Sequence, residues 1–328
     1  MLKRLVLAGV VGLAIVGCGG GGSVDKEAKK LEKIVIDDSN KKDVVVVANT
    51  QKLLYKYMVE DFINGTIKGY FYDTYSSFDG SEINYREIAV GITGSGSIDC
   101  RDGGKIDYNL NNTIGTVEFK GCKIENATLN GKIESSLSDD KIVYKESIKE
   151  FKYTYEVNET NEYSKDEYYI KNYKLTRTRR NTASGASLRA NNEIAIREFQ
   201  YNNKVTLEEG YHRYKSNDDG EKESYEVEYK DISMEYDTRE GFSIKGYVKS
   251  SCIGGWIEIK SLENFSLKDE KIDIKGKMKV FGKDDISLLI EHSRNGNNGY
   301  QLKAYFKSEE NPFWTIPFDR EEELKCSR

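Results

Sequence analysis

Apolar and polar residues alternate through most of the chain after residue 65, which predicts β-strands. The pattern is clearest in residues 272–280, 286–290 and 302–306, where Gly276 occupies one apolar place and the hairpin signal Asn295-Gly296 precedes the last segment. Consecutive strands with one apolar face form an antiparallel meander, in which one face packs on the core and the other is exposed to solvent. We predict a mainly β fold of one or more antiparallel meander sheets, curved or barrel- to half-barrel-like, with one N-terminal helix packed on it.

Turn and strand signals also recur in the middle of the chain. Gly103-Gly104 and Asn130-Gly131 lie beside alternating segments and predict turns. The aromatic residues of 151–155 share one strand face, and 168–173 forms a second, less regular strand. Residues 218–220, Asp-Asp-Gly, separate two long polar strands. The 23 tyrosines and only two prolines suit continuous sheets.

One amphipathic helix is predicted before the strands begin. Its apolar residues recur at three- and four-residue steps, at Leu54, Tyr57, Met58 and Phe62. Asn49 and Thr50 are expected to cap its start, after the compact apolar run 44–47. Asn64-Gly65 is the predicted stop. This face is expected to pack on the sheet, and the alternative is that it binds a partner.

The first seventeen residues have the composition of a secretory signal. Lys3 and Arg4 precede the uninterrupted apolar run 5–16. That run is too short to cross a bilayer as a helix, which takes about 20 residues. A short apolar run behind a positive start indicates an export signal, residues 1–17. The alternative is a short buried helix at the start of a cytosolic domain.

The motif Ile15-Val16-Gly17-Cys18 ends the apolar run and resembles the lipobox of bacterial lipoproteins. That resemblance implies cleavage before Cys18, a diacylglyceryl group on its thiol and acylation of the new amino terminus. Two or more acyl chains anchor a protein stably, whereas one does so only marginally. Gly19 stands where some inner-membrane lipoproteins carry aspartate, so the resemblance favours the outer membrane. We predict Cys18 as the lipidation site and membrane anchor.

The sequence after the signal predicts a tether and a folded body. Residues 18–43, rich in glycine and then in charge, are predicted to be the lipidated cysteine and a flexible tether. The β-rich domain is predicted at 44–328. Two lobes, about 44–180 and 193–328, are the alternative, with the Ser-, Ala- and Asn-rich segment 181–192 as their joint.

Four further cysteines follow Cys18. They are Cys100, Cys122, Cys252 and Cys326. An exported protein meets an oxidising compartment, so an even number predicts disulfides. Three pairings are open, and we favour Cys100–Cys122 and Cys252–Cys326 because each lies within its own half of the chain. A zinc site lacks the C-x-x-C spacing and the histidine partners such sites use.

No motif for catalysis, cofactor binding or metal binding stands out. His212 lies in a polar stretch, and His292 ends an apolar strand face, so structural or rim roles are favoured for both. The adjacent acids at 139–140, 218–219 and 284–285 are in turn-like contexts, where aspartate bonds its own backbone. We therefore predict no catalytic residues, no cofactor and no metal.

Several of these features together resemble an uncharacterised group of β-rich Gram-negative lipoproteins. They are the lipobox, the helix led by Asn49, the Cys-x-x-Gly-Gly segment from Cys100 closed by Cys122, and Gly-Trp-Ile-Glu-Ile at 255–259. The resemblance implies location in the envelope and a β architecture, but no activity. The charged middle, about 134–247, departs from that group's pattern.

Composition and resemblance lead to three functional hypotheses. The net charge of −5, with both signs mixed, suits a soluble body and argues against a nucleic-acid partner. The leading hypothesis is a non-enzymatic, membrane-anchored envelope lipoprotein that binds or scaffolds an envelope protein, lipid or glycan. The alternatives are a cell-wall or polysaccharide-acting enzyme, using acids such as Glu258 or Asp219, and a surface adhesion or structural module.

Overall fold

Strands dominate the computed structural model, and the mainly β prediction is confirmed. Among the described residues, fourteen strands form one antiparallel sheet in chain order, a meander that does not close, and two short strands form a separate ribbon. The structure describes residues 31–51, 54, 56–67, 70, 93–111, 114–138, 143–158, 162–180, 200–218, 221–237, 240–268, 271–272, 275–295, 299–307, 310–317 and 326.

The strands differ greatly in length, and the four longest are neighbours. Their bounds are β1 Gly94–Asp99, β2 Lys105–Leu110, β3 Ile114–Ile124, β4 Ala127–Leu137, β5 Val143–Asn158, β6 Glu162–Arg180, β7 Gln200–Asp218, β8 Glu221–Asp237, β9 Gly241–Ser250, β10 Trp256–Glu263, β11 Leu267–Lys268, β12 Lys271–Ile272, β13 Gly276–Phe281, β14 Ser287–Asn295, β15 Gly299–Phe306 and β16 Trp314–Pro317. The ribbon consists of β11 and β12, so β10 pairs directly with β13 in the large sheet.

One face of the sheet carries the core, and we call it the inner face. In β13 the buried residues Gly276, Met278 and Val280 alternate with half-exposed ones. The predicted meander of the last strands is confirmed, since β13, β14 and β15 pair in order. The segment 272–280 is not one strand, however. Its start belongs to the β11–β12 ribbon, and residue 274 lies outside the described residues.

Gly276 explains why the alternating pattern of the last strands has a missing apolar side chain. It pairs with His292 on β14, and the ring of Phe265 lies directly over it. A Cβ at this position would lie 2.4 Å from Cδ1 of Phe265. Only glycine fits a backbone so closely covered.

A row of irregular positions, which we call the bulge row, crosses the four longest strands, with a β-bulge at each of its edges, between β5 and β4 and between β8 and β9. Each strand there turns two consecutive residues outward, at 149–150, 171–172, 208–209 and 230–231, between inward-facing neighbours. Asn172 has the left-handed φ of 50°, which asparagine tolerates better than most residues. Bulges bend and twist a sheet. This break in the inward–outward alternation is also the reason that 168–173 looks irregular as a strand in sequence.

The other predicted turns have different outcomes. Gly103-Gly104 does form the turn between β1 and β2. Asn130-Gly131 does not, because both residues lie inside β4. The side chain of Asn130 accepts a hydrogen bond from the Gly121 backbone, and Gly131 packs closely against Phe151 at a register shift. Glycine marks a close approach of backbones here, not a reversal.

Two helical segments cover the inner face, α1 (Lys41–Thr50) and α2 (Lys56–Ile67), the second with π-type hydrogen bonding. The predicted apolar positions 54, 58 and 62 are buried, and the side chain of Tyr57 lies outside the described part. The predicted start is wrong, because α1 begins before the apolar run 44–47 and contains it. The predicted stop at 64–65 is also wrong, since the helix continues to Ile67, whose side chain is fully buried.

Asn49 has another role than the predicted cap. It is buried, and its Oδ1 accepts a hydrogen bond from Nε2 of His292 on β14, at 2.9 Å. At the other end of the helical segment, the Phe62 ring stacks on Tyr168 of β6 at 4.3 Å between centroids. The helices therefore lie across the sheet from β14 to β6.

Residues 31–43 belong to the fold, although the sequence assigns them to the tether. The backbone N–H of Ile34 donates to the Trp256 carbonyl at 3.0 Å, where β10 begins. Ile36 is 1% exposed and fills the space over Gly282, where a Cβ would lie 2.6 Å from its Cγ1. Burial of apolar side chains thus holds this charged segment against the sheet.

Both favoured disulfides are present. Cys100–Cys122 joins the end of β1 to β3, and Cys252–Cys326 joins the β9–β10 turn to the C-terminal residues, with Cα–Cα distances of 5.4 and 6.0 Å. The predicted joint of the two-lobe alternative, 181–192, lies outside the described residues. The strands on either side of it, β6 and β7, pair along their whole length and belong to the same sheet.

The hydrogen bond between Asn49 and His292 should stabilise the contact between helix and sheet. We expect Asn49→Ala to lower the free energy of unfolding by about 1–3 kcal/mol, because it removes the amide acceptor of a buried histidine. Urea denaturation measures this loss. Asn109→Ala is the matched control: its side chain is exposed on β2, so a change within about 0.5 kcal/mol is expected. Equal losses in the two variants would contradict this role of Asn49.

The two disulfides should contribute unequally to stability. They span 22 and 74 residues. Chain entropy then gives about 3.4 kcal/mol for Cys100–Cys122 and about 4.4 kcal/mol for Cys252–Cys326. Paired Cys→Ser variants, compared by urea denaturation, should follow that order. The reverse order would show that effects in the folded state outweigh loop closure.

Candidate functional site

The four longest strands extend beyond their neighbours at one end of the sheet. The last β8–β9 pair at this end joins Val227 to Ser250, so residues 221–226 of β8 continue past β9. Six residues of strand span about 20 Å. The β5–β6 and β7–β8 hairpins reach this end at the pairs Asn158–Tyr163 and Asp218–Glu221. We call this part of β5–β8 the extension.

The inner face of the extension is mostly aromatic and polar, with valines at 157 and 227. Strand register places six residues side by side on it, and we name them the distal aromatic face: Tyr155, Asp166, Tyr168, His212, Tyr214 and Tyr225. All six are half-buried, whereas the inner-face residues on the other side of the bulge row, such as Ile170 and Leu207, are buried. The face is therefore accessible to solvent and continuous with the core.

Stacked rings connect this face to the helices. The Tyr168 ring lies between Phe62 of α2 and His212 of β7, with centroid distances of 4.3 and 3.9 Å and nearly parallel planes. Tyr214 stacks on Tyr225 at 5.5 Å, and Tyr225 meets the His212 ring edge-on. Such contacts fix ring positions beyond what burial alone provides, by about 0.5–1.5 kcal/mol for each pair.

A hydrogen-bonded group of Asp166, His212 and Tyr225 lies among these rings. Nε2 of His212 is 2.7 Å from Oδ1 of Asp166, and both ring nitrogens are 3.0 Å from the Tyr225 hydroxyl. With the Nε2 proton directed at Asp166, Nδ1 accepts from Tyr225. The two ring nitrogens are thus engaged within the group, whose histidine and aspartate side chains are only 18% and 29% exposed. This arrangement fixes the orientation of the three side chains.

Burial raises the pKa of the tyrosine hydroxyls at the base of the extension. It raises the pKa of the Tyr168 hydroxyl well above its ordinary value, and the nearby Asp166 carboxylate acts in the same direction. Burial likewise raises the pKa of Tyr153 and Tyr229. Since Tyr168 and Tyr229 also keep some exposed surface, they lie recessed below the outer part of the face.

The opposite, outer face of the extension is occupied by its own contacts. Tyr169 stacks on Tyr211 at 5.3 Å, and the Arg213 guanidinium lies 4.1 Å from the Tyr211 ring centroid. Arg213 also pairs with Glu226 at 2.6 Å, and Lys249 pairs with Glu228 at 2.9 Å. Cross-strand pairs of this kind stabilise a solvated sheet face.

The residues that the sequence singled out do not converge on one site. His212 belongs to the distal aromatic face, and His292 is buried under the helices. Glu258 forms an ion pair with Lys33 at 2.5 Å. Asp284 lies in a 3-10 turn with φ of 57°. Cys18, the acids at 139–140 and Asp219 lie outside the described residues.

One group of potential metal ligands occurs among the described residues. Asp43, Cys252 and Cys326 are buried and place one ligand atom each within 4.8 Å of one another. The two sulfurs are joined in a disulfide, so they do not offer thiolates to a metal.

Cross-strand register brings the distal aromatic face together, and the sequence does not reveal it. His212 and Asp166 are 46 positions apart and meet because β6 and β7 pair in the register Tyr168↔His212. A usable signal was the alternation of aromatic residues at 151, 153 and 155 on β5 and of apolar residues at 225, 227 and 229 on β8. Both alternations mark inward-facing side chains.

Comparison of the chain with protein-family models, curated proteins and solved structures finds no match. Among the described residues, no helix has the length and apolar character that crossing a membrane requires.

Alkaline pH should destabilise the protein through Tyr168. A hydroxyl whose pKa is raised by folding contributes stability that is complete below about pH 10, the unfolded value, and is lost as pH rises through the folded value. We expect Tyr168→Phe to lose less stability than the parent between pH 8 and pH 11, measured by urea denaturation. Tyr169→Phe is a graded control, because its pKa is raised less far. An identical pH response of the parent and Tyr168→Phe would contradict the assignment.

Proposed function

We propose that this protein is a non-enzymatic, membrane-anchored envelope lipoprotein whose domain binds a ligand through the distal aromatic face. The observation that carries the binding role is that face: half-exposed, held rigid by stacked rings and continuous with the core. The lipobox at Ile15–Cys18 supports the anchor. Gly19, which stands where some inner-membrane lipoproteins carry aspartate, favours the outer membrane.

The path of the chain supports a position of the face near the bilayer. Lys33 pairs with Trp256 at the start of β10, and Trp256 is level with Lys249 of β9 and Glu228 of β8. The segment that leads from Cys18 thus joins the domain at the same end of the sheet as the extension. The ligand-binding face is therefore on the tethered side.

The length of the tether fits this position. From Cys18 to Lys33 the chain can span about 50 Å when extended, and about 20 Å as a flexible coil. The coil distance of about 20 Å is close to the length of the part of β8 that continues past β9. A domain anchored in this way holds its extension at the level of groups that project from the membrane surface.

Binding is favoured over catalysis by the contacts of the acidic and basic groups. On the extension, Asp166 is engaged by His212, and the carboxylate of Glu226 by Arg213. Glycosidases need two carboxylates that face each other across a cleft. Glu258, considered for such a role, points to the outer face and pairs with Lys33. Saccharide hydrolysis that disappears in Asp166→Asn would instead establish the enzyme.

Lipidation of Cys18 is the first test of this proposal. We expect the mature protein to begin at Cys18 and its N-terminal peptide to carry three acyl chains, because the lipobox directs both processing and modification. Mass spectrometry of the purified protein measures this. In Cys18→Ser the thioether cannot form, so uncleaved precursor should accumulate. Cys100→Ser is the control, and should keep the acylated N-terminus. An unmodified Cys18 in mature protein would refute the anchor.

A further inference from the structure

The chemistry of the distal aromatic face limits what it can bind. Its rings offer flat, weakly polar surfaces, and Ser164, Ser216 and Glu223 extend the same inner face toward the tip. Among the described inner-face positions of the extension, Asp166 and Glu223 are acidic and none is lysine or arginine. The surface is thus aromatic, hydroxylated and negatively charged.

Two classes of envelope ligand fit this surface poorly. Acyl chains need a continuous aliphatic cavity, and the aliphatic inner face of this protein is already covered by α1 and α2. Anionic lipid headgroups or acidic polymers would meet Asp166 and Glu223 without a basic side chain among the described inner-face residues of the extension, which is unfavourable.

We infer that the distal aromatic face binds a neutral glycan chain. The apolar faces of sugar rings stack on Tyr214 and Tyr225, while sugar hydroxyl groups hydrogen-bond to the serines and to Glu223 at the tip. In the strand register Tyr155 and Tyr214 lie at either side of Asp166, two residues nearer the tip than the recessed Tyr168. The inference deepens the proposed binding role and is independent of the lipid anchor.

Titration calorimetry on the full mature protein in detergent micelles tests this inference. The probes are the β-1,4-linked N-acetylglucosamine hexasaccharide, hexagalacturonic acid and phosphatidylglycerol vesicles. We expect the neutral hexasaccharide to bind, the acidic one to bind at least about tenfold more weakly, and the vesicles to add no binding through this face. Tyr214→Ala should weaken hexasaccharide binding about tenfold, because it removes a stacking surface.

Tyr211→Ala is the matched control. Tyr211 lies on the same strand, is also half-buried and stacked, but belongs to the outer face, so its loss should leave hexasaccharide affinity unchanged. Circular dichroism and urea midpoints confirm that both variants fold.

Three outcomes would overturn the inference: no hexasaccharide binding at millimolar concentration, equal weakening in Tyr211→Ala and Tyr214→Ala, or tighter binding of the acidic hexamer. Vesicle binding that Tyr214→Ala abolishes would identify a lipid surface and also overturn it. None of these outcomes alters the mass of the Cys18 peptide, so a failure of the glycan-binding inference can be distinguished from a failure of the proposed lipid anchor.

Discussion

A long, open antiparallel sheet with a single apolar face is stable only when that face is covered. The chain covers it with its own N-terminal segment, which runs from the rim of β10 into α1 and α2. Each fully buried aliphatic side chain contributes about 1.5–3 kcal/mol, so the run 44–47 is a large part of this cover. The hydrogen bond between Asn49 and His292 then sets where the helix rests, because a buried donor and acceptor must be satisfied together.

The bulge row marks where the sheet changes its role. On one side of it, β5–β8 contribute residues such as Ile170 and Leu207 to the core. On the other side the same strands continue past their neighbours, and tyrosine, histidine and aspartate replace most of the aliphatic residues. The stacking of Phe62 on Tyr168 joins the two regions, so the position of α2 determines how much of the aromatic surface remains accessible.

Charge is arranged differently on the two faces of the extension. On the outer face, Arg213 and Lys249 each meet a carboxylate across the strands, and exposed pairs of this kind contribute little individually. On the inner face the acidic groups have no lysine or arginine beside them among the described residues, and Asp166 instead orients His212. The outer face is therefore a surface of paired charges, whereas the inner face carries the rings and acceptors of the proposed binding site. This difference is the basis for favouring a neutral glycan over an anionic partner.

Local sequence signals were sufficient for the β class, the meander of the last strands and the two disulfides, because alternation and cysteine parity can be read without knowing the fold. These signals placed the start of the helix too late. A run of four valines favours a strand locally, and here it is helical because the helix that contains it is buried on all sides. They also predicted a turn at Asn130-Gly131, where the glycine in fact admits the close approach of Phe151. The distal aromatic face exists only in the folded chain. Asp166, His212 and Tyr225 meet through strand register, and register depends on bulges and on pairing between distant segments.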